Sequence, residues 1–173
     1  SVLATSVLVV FLLAMTVTIA NVVLPQMQGS LSATRDQVAW VVTSYLVANA
    51  VGVPATGWLT DRLGSRRLII WGTIGFSLST LSCALAPNLE LLVLSRAFQG
   101  LLGAPLTPLT MALVLSLYPR RQHGIVTSIF GIGVTIGPII APWLGGILAE
   151  DYGWRSVFFL AMPFAILACL AVL

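Results

Sequence analysis

Apolar residues fill this chain in six runs, and polar residues gather in five short breaks between them. The runs cover roughly residues 3–24, 38–60, 68–86, 91–117, 124–148 and 155–173. Each approaches the ~20 apolar residues that a helix needs to cross a bilayer. The breaks read "PQMQGSLSATRDQ", "DRLGSRR", "APNLE", "YPRRQH" and "EDYGWR", and most combine Pro or Gly with charge. The pattern predicts an all-α membrane protein of six spanning helices.

Composition sharpens that reading. Of 173 residues, 58% are hydrophobic and 8% charged, against about 25% charged in a soluble domain. Mean hydropathy is +1.05. The net charge of +3 comes from eight arginines and no lysine, scattered in small groups, which is no nucleic-acid footprint. Cys83 and Cys169 lie inside apolar runs and read as small hydrophobes. No Gly-rich phosphate loop, zinc-spaced His/Cys set or nucleophile–base pair occurs, so no enzyme activity, cofactor or metal is expected. The chain begins and ends inside apolar runs without a signal-peptide pattern, and the expectation is part of a longer polypeptide.

Charge sets orientation. Arg62, Arg66, Arg67, Arg120 and Arg121 occupy the second and fourth breaks, while Arg35 and Arg155 occupy odd ones beside Asp36, Glu90, Glu150 and Asp151. The positive-inside rule then places the 61–67 and 118–123 loops, and the N-terminus, in the cytoplasm.

An internal echo divides the chain. "GWLTDRLGSRR" at 57 aligns without gaps on "GILAEDYGWRS" at 146: Gly57 with Gly146, Leu59 with Leu148, Asp61 with Glu150, Gly64 with Gly153, Arg66 with Arg155. Each segment joins the second and third spans of a three-span unit, residues 1–88 and 89–173, on opposite sides of the membrane. That is the mark of an inverted repeat, a common transporter architecture.

Individual residues carry further expectations. Gly64 suits a tight turn with positive φ, and Gly57 suits close approach of a neighbouring helix. Asp61 lies at the unfavourable negative end of a helix dipole and needs a cation, supplied by Arg62 or an arginine one turn on. A plain positive-inside anchor accounts for the arginines but not for Asp61 or the glycines. Arg96 lies about five residues, or roughly 7 Å, into the fourth span. It reads either as an interfacial arginine that snorkels or as a cation facing a water-filled cavity. In the fifth span Gly137, Ala141, Gly145 and Ala149 form a small-residue face, and Pro138 and Pro142 bend the helix. Pro105 and Pro108 predict a kink in the fourth span. Asn21, Tyr45, Asn49, Gln99, Thr107 and Thr110 are polar positions inside spans, each an interhelical hydrogen bond or a cavity contact. Trp40, Trp58, Trp71 and Trp154 near span ends read as interfacial anchors.

Three stretches resemble signatures of the major facilitator superfamily. "G-x-x-x-D-R-x-G-x-x-R" over 57–67 is similar to its motif between the second and third helices, with Ser65 where a base is usual. "LSRAFQGLLGAP" resembles the fourth-helix motif at Arg96, Gln99 and Gly100. "GPIIAPWLGG" resembles the fifth-helix antiporter motif at Gly137, Pro142, Gly145 and Gly146, with Ala141 and Ser128 in place of glycines. "TIANVVLPQM", "VAWVVTSYLVANAV" and "GWRSVFFLAMPF" are similar to the EmrB-type drug:proton antiporters, the fourteen-helix branch.

The resemblance implies an N-terminal six-helix half that exports amphipathic compounds against protons across the inner membrane. It implies a cytoplasmic latch at Gly57, Asp61, Arg62, Gly64, Arg66 and Arg67, and an ion seal at the fifth-helix motif. Its partners would be membrane lipid, a small-molecule cargo, protons, the C-terminal half and a periplasmic adaptor. The acid that this branch commonly carries in the first helix is replaced here by Thr16. The alternatives are a non-drug facilitator or anion exporter on the same fold, a receptor or assembly subunit that transports nothing, and a half that pairs with itself.

Overall fold

A computed structural model describes residues 2–172 of the chain. Among these residues eight α-helices follow one another: α1 Val2–Val22, α2 Leu24–Ser30, α3 Arg35–Leu63, α4 Ser65–Leu85, α5 Leu89–Gly103, α6 Leu106–Leu117, α7 His123–Tyr152 and α8 Arg155–Val172. The expected span ends at residue 173 and the unit limits at 1 and 173 lie outside the described residues.

Among the described residues, five stretches are long and apolar enough to cross a membrane, with α5 and α6 counted as one; α8 is a shorter apolar helix. The count of six is therefore met only approximately. The break between α5 and α6 falls at Ala104–Pro105, where the missing Pro N–H and the bulk of its ring interrupt the ladder. Pro138 and Pro142 differ in effect: α7 stays one 30-residue helix through both.

Helices outrun the expected boundaries where charged residues continue the helical turn. Arg35 and Asp36 begin α3, Asp61 and Arg62 lie in its last turn, and Glu150 and Asp151 lie in the last turn of α7. Thr34 caps α3 reciprocally with Gln37, its hydroxyl accepting from the Gln37 N–H at 3.3 Å while the Gln37 amide oxygen accepts from the Thr34 N–H at 2.9 Å. The stretch after the first span, expected as a break, forms α2, with Pro25 in its first turn where no N–H is needed.

The core lies along α1, whose Leu12, Met15, Ile19 and Ala20 are buried. Its most extensive partner is α7, and the matching pair is α3 with α5. Glycines make both contacts backbone-close. A Cβ on Gly137 would lie 2.9 Å from the Met15 nitrogen and 3.0 Å from the Phe11 oxygen. One on Gly100 would overlap the Tyr45 carbonyl. Gly137, Ala141, Gly145 and Ala149 are all buried, as the small-residue face requires. Many large apolar side chains point outward instead, among them Trp58, Trp71, Ile139 and Trp143, which suits a lipid solvent.

Two corners are alike. Gly64 (φ 80°, ψ 145°) alone joins α3 to α4, and Gly153 (φ 82°, ψ 164°) ends α7. The N–H of each donates to the carbonyl four residues back, Thr60 and Ala149.

Trp154 departs from its expected place in the interface. It is buried, and its indole Nε1–H donates to Ser30 Oγ at 2.7 Å. Arg155 lies over the Trp154 ring and donates to the Ala86 carbonyl at 2.8 Å. The ends of α2, α4 and α7 are thereby stitched together at one end of the bundle. Trp154→Phe keeps an aromatic ring and loses the donor, so stability should fall by about 0.5–1.5 kcal/mol for the hydrogen bond, beyond the cost of the lost ring volume. Thermal unfolding of Trp154→Phe, Ser30→Ala and the double variant checks this. Additive losses would mean that the two side chains do not interact.

Candidate functional site

The polar centre of the bundle forms where α3, α4 and α5 meet. Arg96 on α5 is wholly buried. Its Nε donates to the Val41 carbonyl of α3 at 3.1 Å, and its Nη1 donates to Gln99 Oε1 one turn on. Gln99 Nε2 donates to Thr80 Oγ1 of α4 at 2.6 Å, and the Thr80 hydroxyl donates to the Phe76 carbonyl at 2.8 Å. The guanidinium carbon lies 4.5 Å from the centre of the Tyr45 ring. Arg96 Nη2 has no hydrogen-bond partner. Burying a cation costs several kcal/mol unless it is paired and hydrogen-bonded, and here carbonyl, amide and aromatic face do the pairing in place of a carboxylate.

This placement differs from a cavity-facing arginine. A cavity of about 250 Å³ lies beside the cluster, and Tyr45, Asn49 and Thr107 line it with apolar residues of α1 and α7. Arg96 does not reach it. Tyr45 belongs to both, since its ring lies against the guanidinium and it is one of the residues lining the cavity. Asn49 Nδ2 also donates to the Gly100 carbonyl at 3.2 Å, tying α3 to α5.

The other expected cavity residues fall elsewhere. Thr110 is buried and its hydroxyl donates to the Leu106 carbonyl at 2.6 Å. Asn21 is exposed and donates to the Val17 carbonyl at 3.1 Å. Thr80 and Val41 were not expected. Thr80 is one of several hydroxyls in "SLSTLSC", and nothing in that run marks the one that faces Gln99. Val41 contributes only its backbone.

At the α3–α4 corner, Gly57, Asp61, Arg62, Gly64, Arg66 and Arg67 are all exposed. A Cβ on Gly57 would meet open space, so no helix of the described residues packs there, contrary to expectation. Arg62 lies over the Trp58 ring at 4.4 Å and does not pair with Asp61. At the α1–α7 contact, Gly137, Ala141 and Gly145 are buried, Pro138 and Gly146 partly so, and Pro142 is exposed. All five acids, Asp36, Asp61, Glu90, Glu150 and Asp151, are exposed at helix ends, and Thr16 is buried with its hydroxyl on the Leu12 carbonyl at 2.7 Å.

The sequence model of the Major Facilitator Superfamily matches residues 6–173. The chain belongs to the major facilitator superfamily. Among its relatives is the multidrug export protein EmrB of Escherichia coli (strain K12), 37% identical over 156 residues, which are 90% of this chain and 30% of that protein. The fatty acid resistance protein FarB of Neisseria gonorrhoeae is 37% identical, over 93% of this chain and 32% of its own length. The multidrug resistance protein B homolog of Mycobacterium tuberculosis (strain ATCC 25618 / H37Rv) is 37% identical, over 85% and 27%. The fold matches a crystal structure of a mutant peptide transporter POT in complex with alafosfalin at a TM-score of 0.86, 20% identity, 98% of this chain and 37% of the other. The chain thus spans about 30% of the length of its curated relatives, and this superfamily fold makes it an integral membrane protein.

Proposed function

We propose that the chain is the N-terminal half of a secondary active transporter that exports amphipathic compounds against protons by alternating access. The observation that carries this reading is the cavity bounded by α1, α3, α6 and α7, with Gly103 at the end of α5. Its wall is apolar apart from Tyr45, Asn49 and Thr107, which suits a greasy cargo with a few polar groups. About 250 Å³ is small for a drug-sized molecule, and the remaining wall comes from the rest of the polypeptide. The names of the EmrB and FarB relatives, multidrug export and fatty acid resistance, agree with such a cargo. The protein is then no enzyme, and it resides in the cytoplasmic membrane with its N-terminus in the cytoplasm.

Residues 1–88 and 89–173 act as inverted units. Exchange of the two units maps the α1–α7 pair onto the α5–α3 pair, and the two glycine corners onto each other, which supports this division. Cysteines placed at Ser65 and Gln122 are expected to react with an impermeant thiol reagent from the cytoplasm, and one at Asn88 from outside. Reaction of all three from one side would overturn the topology.

The exposed, unpaired Asp61 and its neighbouring arginines form a latch that closes on the other half. Asp61→Asn should lower export at least about tenfold with normal membrane insertion, which is the scale of one lost charge-assisted contact. Unchanged export would reduce this corner to an anchor. No acid of this chain is buried, so the proton carrier is a carboxylate of the rest of the polypeptide.

Cargo-dependent proton movement tests the whole reading. Vesicles carrying the intact protein and a preset proton gradient should lose that gradient when an amphipathic dye is added. Dye movement with the gradient intact would favour a facilitator. No movement of either would favour a receptor or assembly subunit.

A further inference from the structure

Arg96 is wholly buried, faces no carboxylate and keeps Nη2 without a partner. A free donor on a buried cation is costly and calls for an acceptor. The adjacent cavity is lined by Tyr45, whose ring faces the guanidinium, and not by Arg96 itself.

The backbone beneath that ring is fixed. The Tyr45 carbonyl abuts Gly100 so closely that no Cβ would fit, and Asn49 one turn on ties α3 to the Gly100 carbonyl. Any opening between Arg96 and the cavity therefore comes from rotation about the Tyr45 side-chain bonds, for which the cavity offers room.

We propose that Tyr45 is a lid over Arg96, and that with the lid swung aside the free Nη2 binds the oxyanion of an amphipathic cargo at the cavity wall. The inference rests on the transporter reading of this cavity and adds a charge filter to it. An aromatic face on a guanidinium is a weaker partner than a carboxylate oxygen. A carboxylate thus displaces the ring, and a neutral or cationic cargo leaves it in place. Tyr45 is a specificity-determining residue here, and Gln99 and the Val41 carbonyl are positioning groups that hold the guanidinium against it.

The test reads Arg96 directly and needs no transport. The intact protein, purified in detergent, is treated with butane-2,3-dione, and modification of the Arg96 peptide is followed by mass spectrometry. Arg96 should react slowly in the wild type and in Tyr45→Phe, which keeps the ring, and about tenfold faster in Tyr45→Ala. Tyr45→Val replaces Tyr45→Ala if the latter does not give monodisperse protein. Laurate should slow modification of the opened variant at least about fivefold, and dodecyltrimethylammonium should not. Equal reaction in Tyr45→Phe and the opened variant would overturn the lid. Equal protection by both amphiphiles would overturn the oxyanion site. Neither result depends on the proton-flux experiment, whose failure would strike the transporter reading alone.

Discussion

Gly100→Val should unfold or severely loosen the bundle, at a cost of about 3 kcal/mol or more. Overpacking a core costs about 1–3 kcal/mol when side chains can yield. Here the obstructing atom is the backbone carbonyl of Tyr45, which can withdraw only if α3 moves away from α5. That movement would also stretch the Asn49 bond to the Gly100 carbonyl and the Arg96 bond to the Val41 carbonyl. Thermal unfolding in detergent, with the monodisperse fraction after solubilisation, measures the loss. Gly57→Ala is the matched control: its Cβ meets open space, and a helical Gly→Ala change gains about 0.5–1 kcal/mol. Equal stability of the two variants would refute the close crossing of α3 and α5.

Gln99→Leu should cost about 3–5 kcal/mol, more than Arg96→Met. Removing Gln99 leaves a buried cation short of its side-chain acceptor, and loss of one partner of a buried charge costs this much. Removing Arg96 takes the charge away with it and leaves two neutral acceptors, Gln99 Oε1 and the Val41 carbonyl, without its donors, at about 1–3 kcal/mol. The double variant Arg96→Met/Gln99→Leu should therefore be more stable than Gln99→Leu alone, because an apolar pair of similar volume replaces a stranded charge. A double-mutant cycle on unfolding midpoints reads the coupling. Strictly additive losses would mean that Gln99 does not support Arg96. Export of anionic amphiphiles should fail in every variant lacking Arg96, so stability and that activity would part company in the double variant.

How far the sequence discloses this fold depends on the range of each interaction. The apolar runs, the turn at Gly64 and the Gly137–Ala141–Gly145 face are local patterns; the structure carries the turn and the face, and five of the six runs as helices long enough to span, the last as a shorter apolar helix. The surroundings of Arg96 are not local. Its acceptors are a Val41 backbone atom 55 positions away and a glutamine that itself depends on Thr80 on a third helix. Insertion cost marks Arg96 as special from the sequence alone, but only the packing decides between open cavity and sealed cluster. Trp154 misleads for the same reason. A tryptophan at a span end fits an interfacial belt, and the bond that draws it inward comes from Ser30, 124 residues earlier. Asn21 and Thr110 show a further ambiguity, since both satisfy themselves on their own helices with carbonyls four residues back.

The corner at Gly64 bears on how genes for such proteins can vary in length. One residue separates Leu63, the last of α3, from Ser65, the first of α4. A helix turns about 100° per residue. Inserting or deleting a single codon there would swing α4 by more than a quarter turn and carry buried Phe76 and Thr80 off their partners. The 118–122 connection between α6 and α7 is five residues long, with a proline and a 3₁₀ turn that carries exposed arginines, and a connection of that length can absorb the same change. Length variation is expected to collect at that second joint and to be excluded from the first.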